Sequence, residues 1–487
     1  PRHNNKSKGS IINNESTQTF SSLGLSNEFT THLNTIGFKT PTPIQLETIP
    51  HILNSKQDLI AQAQTGTGKT AAFGLPIIAQ LDPQNKNVNT LILTPTRELA
   101  IQIAAALSIQ SKPFKTKITT IYGGQSFEPQ IRALKQGANI VIGTPGRVLD
   151  MLKKGHLNIK NIEYLVIDEA DEMLRFGFIE DLELIFKFSN SHKQTLLFSA
   201  TMPNAIIKLS KNYMTNAKQI SVKTTLQKTD HISQHFMTIN LKSKQDTLIR
   251  IIDFEPHFYG LVFCNTKRQV DEIALSLINK GYNADALHGD LTQSAREKVL
   301  SKFRKKYCTI LVVTDVVARG IDIEKLTHVI NFSPPQDLES YIHRIGRTGR
   351  GGETGKAYTL VAKSESRLFR PIQRHFSETL HAITPPEVAD IISAKKTQLI
   401  TTLTQTIKSG TDSTYNDLAQ DILTTLSPIE ALAATLEYTF KKTFAESHYR
   451  AIKTDSLDHH NSQPFKKNRF SKKRSNNRFN TKKRYYK

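Results

Sequence analysis

Two groups of residues in this chain have the types and the spacing for phosphate chemistry. One is Ala63-Gln64-Thr65-Gly66-Thr67-Gly68-Lys69-Thr70, spaced as a Walker A loop with Ala63 where the first glycine usually stands. Gly66 and Gly68 let the backbone turn so that successive N–H groups face an anion. Lys69 is then placed to reach the β and γ oxygens of a nucleotide, and the Thr70 hydroxyl to ligate Mg2+. The other group follows about a hundred residues on, where Tyr164-Leu165-Val166-Ile167 leads into Asp168-Glu169-Ala170-Asp171. There Asp168 is placed to hold Mg2+ through water, and Glu169 to take a proton from an attacking water. A glycine turn or a solvated acidic helix start alone would look similar. The two motifs together argue for nucleotide hydrolysis.

Loops of this kind need rigid strands behind them. Short apolar runs recur with helix-like segments between: 90–93, 118–122, 140–142, 164–167, 195–198, 261–263, 310–313, 329–332 and 357–361. Continuous runs fit parallel strands covered on both faces, and their alternation with helices predicts an α/β, doubly wound parallel sheet. Nine runs exceed one mononucleotide-type unit, so the chain is divided at the polar stretch near 218–230. Residues 384–446 change character. Thr384-Pro385-Pro386-Glu387 and Ser427-Pro428-Ile429-Glu430 both read as capping boxes with Pro at the first helical position. Apolar residues at helical spacing from Val388 to Phe440 then predict three helices in a small module.

Of 487 residues, 65 are Lys or Arg and 43 Asp or Glu, a formal net charge of +22. Residues 465–487 hold eleven of the cations and no acid, interleaved with Phe465, Phe470, Phe479, Tyr485 and Tyr486. Such a tail fits sequence-tolerant RNA binding by charge and stacking. The polar first nineteen residues and the segment 451–487 are expected to be disordered. No apolar run approaches the roughly 20 residues of a membrane span, and the two cysteines, Cys264 and Cys308, lie in apolar runs as expected of buried reduced thiols. A cytoplasmic protein with an anionic partner and no membrane is the expectation. The sixteen His show no metal spacing, so no zinc is expected.

Asp168-Glu169-Ala170-Asp171, set among further motifs, resembles the DEAD-box family of ATP-dependent RNA helicases over about residues 20–363. Gly37-Phe38 with Pro41-Thr42-Pro43-Ile44-Gln45 looks like the family's Q motif, with Phe20 the isolated upstream aromatic. The Gln45 amide both donates and accepts, which suits the adenine N6/N7 edge, and Phe38 can stack on the ring. The resemblance thus adds Phe20, Phe38, Thr42 and Gln45 to the nucleotide-binding loop. Pro95-Thr96-Arg97-Glu98-Leu99-Ala100, Gly123-Gly124 and Thr144-Pro145-Gly146-Arg147 resemble RNA-facing motifs, implying that Pro95, Arg97, Gly124, Thr144 and Arg147 bind RNA. Ser199-Ala200-Thr201 resembles the motif linking ATP state to strand separation, and Asp171, Ser199, Thr201 and His343 are implied in that coupling.

In the second half, Phe263-Cys264-Asn265-Thr266, His288-Gly289-Asp290 and Gln293 with Arg296 resemble RNA-contacting elements, implicating Thr266, Gly289, Gln293 and Arg296. Thr314-Asp315-Val316-Val317-Ala318-Arg319-Gly320-Ile321-Asp322 resembles motif V. It implies Gly320 and Asp322 near the phosphates and ribose and Thr314 near the RNA backbone, with Val317 where the family often has Ala. Tyr341-Ile342-His343-Arg344-Ile345-Gly346-Arg347-Thr348-Gly349-Arg350 is the most specific match after the tetrad. Arg347 and Arg350, three apart, could share one helical face toward the γ-phosphate, which is arginine-finger chemistry delivered from the other domain.

The resemblance implies two tandem RecA-like doubly wound domains, a small C-terminal helical module and a disordered basic tail. The expected division is 1–19 extension, 20–217 ATP-binding domain (Q motif 18–46, phosphate loop 63–70, acidic box 168–171), 218–230 linker, 231–375 second domain, 384–446 helical module and 451–487 tail. It implies Lys69, Asp168, Glu169, Arg347 and Arg350 as the catalytic set, with ATP and Mg2+ as cofactors. RNA is the implied partner, single-stranded or a short duplex, unwound locally without sequence preference. The helical module resembles the dimerisation region of bacterial cold-shock DEAD-box helicases, which implies a homodimer, and contacts with ribosomal precursors or RNA-decay complexes. An ATP-gated RNA clamp that nucleates assemblies, or a DNA helicase, would share the ATP chemistry.

Overall fold

A computed structural model describes residues 19–63, 66–82, 84–85, 87–222, 231–318, 326–349, 353–441 and 443–452. The basic tail 465–487, the N-terminal extension up to residue 18 and most of the expected linker lie outside the described residues.

Fourteen strands among the described residues form two parallel sheets. The first contains β1 (Leu59–Gln62), β2 (Thr90–Leu93), β3 (Ile118–Ile121), β4 (Ile140–Gly143), β5 (Tyr164–Ile167), β6 (Gln194–Ser199) and β7 (Lys218–Ser221), in the order β3-β4-β2-β5-β6-β1-β7. The second contains β8 (Ile232–Thr238), β9 (Gly260–Cys264), β10 (Ala284–Leu287), β11 (Ile310–Thr314), β12 (His328–Asn331), β13 (Gly355–Val361) and β14 (Leu380–Ala382), in the order β10-β11-β9-β12-β13-β8-β14. Counted from β8, the second order is the same permutation as the first. One topology has been used twice.

Side chains alternate along a strand, so each continuous apolar run feeds two cores. Leu59 and Ala61 enter one core of the first sheet and Ile60 the other; Ile92 opposes Leu91 and Leu93, and Val141 opposes Ile140 and Ile142. The second sheet repeats the division, with Val262 and Cys264 on one face and Leu261 and Phe263 on the other. Each such side chain, when fully buried, contributes about 1.5–3 kcal/mol.

All nine apolar runs are strands. Five more carry no such run. β7, β10 and β14 are sheet edges, and β7 buries only Ile220. β8 is interior but alternates polar and apolar residues, and β1 is short. Two expected boundaries therefore move. Lys218–Ser221, assigned to the linker, is the edge of the first sheet, paired with β1. The second sheet runs past 375, because β14 pairs with β8. Cys264 and Cys308 are buried and unpaired, and burial pushes their thiols up to about 12 and about 11.

Three helices follow the second sheet, Val388–Ser409, Ser413–Thr425 and Pro428–Phe440. Ser427 caps the third, accepting from Glu430 N–H with Pro428 in the first turn. The first capping box is not realised. Its helix begins at Val388 with Glu387 as N-cap and no side-chain cap, after Pro385 and Pro386 have run on as extended chain. Beyond the helices the chain returns to the second domain. Tyr449 donates to Asp253 at 2.7 Å, Tyr282 donates to the same carboxylate at 2.8 Å, and Lys395 pairs with it at 2.9 Å. The Arg250 guanidinium donates to the carbonyls of both Pro386 and Arg450, at 3.1 and 2.7 Å.

Candidate active site

In an open parallel sheet, ligands bind at the carboxyl ends of the strands. β5, β6 and β1 are neighbours, so the acidic box, Ser199-Ala200-Thr201 and the phosphate loop leave the first sheet side by side. Gly66 and Gly68 have φ of +81° and +87°, the left-handed region that favours glycine. A Cβ on Gly68 would also lie 2.4 Å from Gln45 Nε2. Lys69, in the first turn of the helix Lys69–Gln80, is 8% exposed, and its Nζ has no hydrogen-bond partner. A buried ammonium without a partner is costly, and phosphate oxygens would supply one. Gln64 and Thr65 lie outside the described residues; Ala63 is buried and donates its N–H to Ser199.

Gln45 ties the Q motif to this loop. Its carbonyl accepts from Thr42 N–H at 2.9 Å and its amide donates to Gly68 at 3.1 Å. One proton and one lone pair of the amide remain for a base. Phe20 is buried and meets half-buried Phe38 edge-on, ring centroids 6.1 Å apart.

Asp168 is buried beside Lys69. Burial pushes its carboxyl up to about 6, and Lys69 opposes the rise only in part. A hard dication fits a buried carboxylate facing the Thr70 hydroxyl position of this loop. Glu169 has φ +52°, left-handed backbone on a non-glycine residue that costs of order 1–3 kcal/mol and turns the chain into the helix Ala170–Arg175. Asp171 accepts from Ala200 N–H at 3.1 Å, Thr201 N–H at 2.7 Å and the Thr201 hydroxyl at 2.9 Å, and its own N–H donates to Ser199 Oγ at 3.2 Å. Burial works against its charge, but these bonds with Lys69 hold Asp171 below the ordinary carboxylate range.

The second domain meets this edge directly. Arg175 donates to Asp337 and Ser340 at 2.9 Å each, His343 Nδ1 lies 3.8 Å from Glu172, and Thr201 Oγ1 lies 3.5 Å from Glu339. Arg347 is 8% exposed. It does not share a helical face with Arg350. The helix Leu338–Ile345 ends before it, and the chain turns through Gly346 so that Thr348 bridges to Leu326. Arg350, Gly320 and Asp322 lie outside the described residues.

The RNA-assigned residues divide between the two domains. Pro95 follows β2, and Arg97 begins the helix Arg97–Gln110. Gly124, at φ +82°, packs so closely that a Cβ would lie 2.0 Å from Arg97 Nη1. Thr144 precedes the helix Pro145–Lys153, whose Arg147 stacks 4.0 Å over Phe127 and donates to the Gln125 carbonyl at 3.0 Å. Thr266 caps the helix Lys267–Asn279, Gln293 opens the helix Gln293–Arg304, and Thr314 ends β11. Arg296 is not presented to solvent. It pairs with Glu98 of the first domain at 3.1 Å and donates to the Gly289 carbonyl at 2.7 Å.

Sequence reasoning missed the residues that join these parts: Glu98, Glu172, Arg175, Asp337 and Glu339 across the cleft, and Arg344. Arg344 is buried, forks onto Asp315 at 2.6 and 2.7 Å and lies 5.1 Å over the Phe263 ring. Glu98 and Arg344 stand inside quoted motifs, so the residue type was in view without its partner.

Comparison with known proteins agrees with this geometry. Residues 42–209 match the DEAD/DEAH box helicase family and residues 243–352 the helicase conserved C-terminal domain. The chain belongs to the DEAD-box ATP-dependent RNA helicases. The CshA helicase of Bacillus subtilis (strain 168) is 41% identical over 88% of this chain and 86% of its own length. That of Geobacillus kaustophilus (strain HTA426) is 42% identical over 86% of this chain and 90% of its own. Among solved structures, S. cerevisiae Dbp5 bound to RNA and ADP BeF3 superposes with a TM-score of 0.70 at 31% identity, over 78% of this chain and 99% of that one. The DEAD-box helicase Mss116 bound to ssRNA and UDP-BeF gives 0.67 at 30% identity, over 77% and 83%. Among the described residues no helix is long and apolar enough to cross a membrane.

Proposed function

We propose that this helicase binds ATP in the cleft between its two sheets, closes on single-stranded RNA, pries apart short duplexes locally and reopens on hydrolysis. The observation that carries the reading is the inter-domain contact. The acidic-box helix meets the helix leading to Arg347 through Arg175, Asp337 and Ser340. Nucleotide complementary only to this closed arrangement would shift the population toward it. Lys69 pairs with the phosphates, Gln45 and Phe38 take the adenine, Glu169 accepts the proton of the attacking water, and Arg347 stabilises the charge that develops. Thr70 and Asp168 would hold Mg2+, which supplies charge neutralisation at the β and γ oxygens. Arg97, Thr144, Arg147, Thr266 and Thr314 line the RNA side, reading phosphates and 2′-hydroxyls rather than base edges.

The likeness to the CshA helicases supports a finer reading in cold adaptation, ribosome assembly and mRNA turnover in the cytoplasm. Glu169→Gln tests the core of the proposal. The amide keeps shape and hydrogen bonding but cannot serve as base. ATP and RNA should stay bound while turnover falls by 10²-fold or more, on the order expected for a lost general base. Near-normal RNA-stimulated ATPase would remove Glu169 from the role.

A further inference from the structure

Four carboxyl groups meet where the two domains touch. Asp171 and Glu172, 3% and 1% exposed, come from the first-domain helix Ala170–Arg175, and Asp337 and Glu339 from the start of the second-domain helix Leu338–Ile345. The cations facing them are Arg175, which directs its guanidinium to Asp337, Ser340 and Glu172, and His343, near Glu172. Glu339 itself faces Asp171, Glu172 and Arg175 across the cleft.

The hydrogen bonds at Glu339 need a proton. The Thr201 hydroxyl has one to give. Asp171 Oδ2 takes it at 2.9 Å, and Glu339 Oε1 lies 3.5 Å from the same hydroxyl oxygen. Glu339 also hydrogen-bonds the Asp171 carboxylate. Two carboxyl groups share a hydrogen bond only when one is protonated, and Asp171, caged by the N–H groups of Ala200 and Thr201, is the one kept ionised.

We propose that Glu339 is a positioning residue of the closed state that enters it as the neutral acid, so that closing the cleft takes up a proton. The inference rests on the closure cycle proposed above. Facing water, a Glu carboxyl has its ordinary pKa near 4.5, whereas in the cleft burial, and then the charge and hydrogen bond of Asp171, push Glu339 up to about 8. A pKa raised by closure makes closure fully favourable below the ordinary value. Closure then weakens by up to tenfold per pH unit on the way to about 8 and levels off above it.

The test is the affinity of the full chain for fluorescent single-stranded RNA with β,γ-imido-ATP and Mg2+, between about pH 6 and about pH 8.5. The unaltered chain should lose up to about tenfold per unit through the middle of that range. Glu339→Gln, whose amide mimics the neutral acid, should bind as tightly as the unaltered chain does at low pH and lose that share of the slope. Any titration of His343 is common to both proteins and cancels in the comparison. Equal slopes, or an amide variant weak at every pH, would overturn the role. Calorimetry of the unaltered chain in two buffers of different ionisation enthalpy counts the proton without a variant. Close to one taken up per RNA bound near neutral pH supports the inference, and none overturns it. If analogue and RNA fail to strengthen each other's binding at any pH, the closure cycle itself falls, and this inference with it. Cooperative binding with equal slopes removes Glu339 alone.

Discussion

Glu255 is buried behind the second sheet, bonded by Tyr358, by Lys356 at 2.7 Å and by His328 at 3.2 Å. Burial opposes its charge, yet hydrogen bonds from His328, Lys356 and Tyr358 hold its carboxyl down at about 2. A folded-state pKa below the ordinary 4.5 means stability that is present above that value and lost as pH falls toward about 2, on the order of 3 kcal/mol. We expect Glu255→Gln to lower the melting temperature at neutral pH and to flatten the decline toward acid; thermal melts across that range would show it. Nothing in the sequence marked Glu255, because its partners come from β12 and β13, far along the chain. The same limit explains Arg296. Its type announced an anion partner, and RNA was assigned; the fold supplies Glu98 instead, about two hundred residues away. Lys69, Asp168 and Thr201, whose roles depend on neighbours within a loop or on the next strand, were legible from spacing alone.

At the scale of elements, apolar continuity marked the strands covered on both faces and left the edges silent, since an edge strand such as β7 has only one side chain to hide. The helical module was legible as periodicity but carries a surplus. Ile400, Leu403, Ile407, Leu418, Ile429 and Leu432 remain 45–81% exposed. Stripes of this size mark interfaces. We expect a homodimer through residues 384–446, and the double substitution Leu432→Asp with Leu436→Asp to give a folded monomer with RNA-stimulated ATPase intact. Light scattering across micromolar concentrations decides it, and a monomeric unaltered chain would end the idea.

At the scale of the molecule, the repeated strand permutation sets two sheets edge to edge, and closure depends on contacts no single motif contains. Glu98 and Arg296 are each about one-tenth exposed in the side chain. Removing one partner of a buried pair leaves the other uncompensated, at roughly 3–5 kcal/mol. Glu98→Ala and Arg296→Ala should therefore each weaken cooperative binding of RNA and ATP analogue, while the double variant loses less than the sum of the two. Additive losses in that cycle would show that the pair does not close the cleft. Arg250 has a different consequence. One guanidinium grips the chain on its way out to the three helices, at Pro386, and again on its way back, at Arg450. A segment whose two ends are clasped this closely behaves as an insertion, and insertions can be exchanged. The helices between the clasped ends are therefore a cassette, open to replacement by another binding element of any length while both sheets and the cleft keep their register.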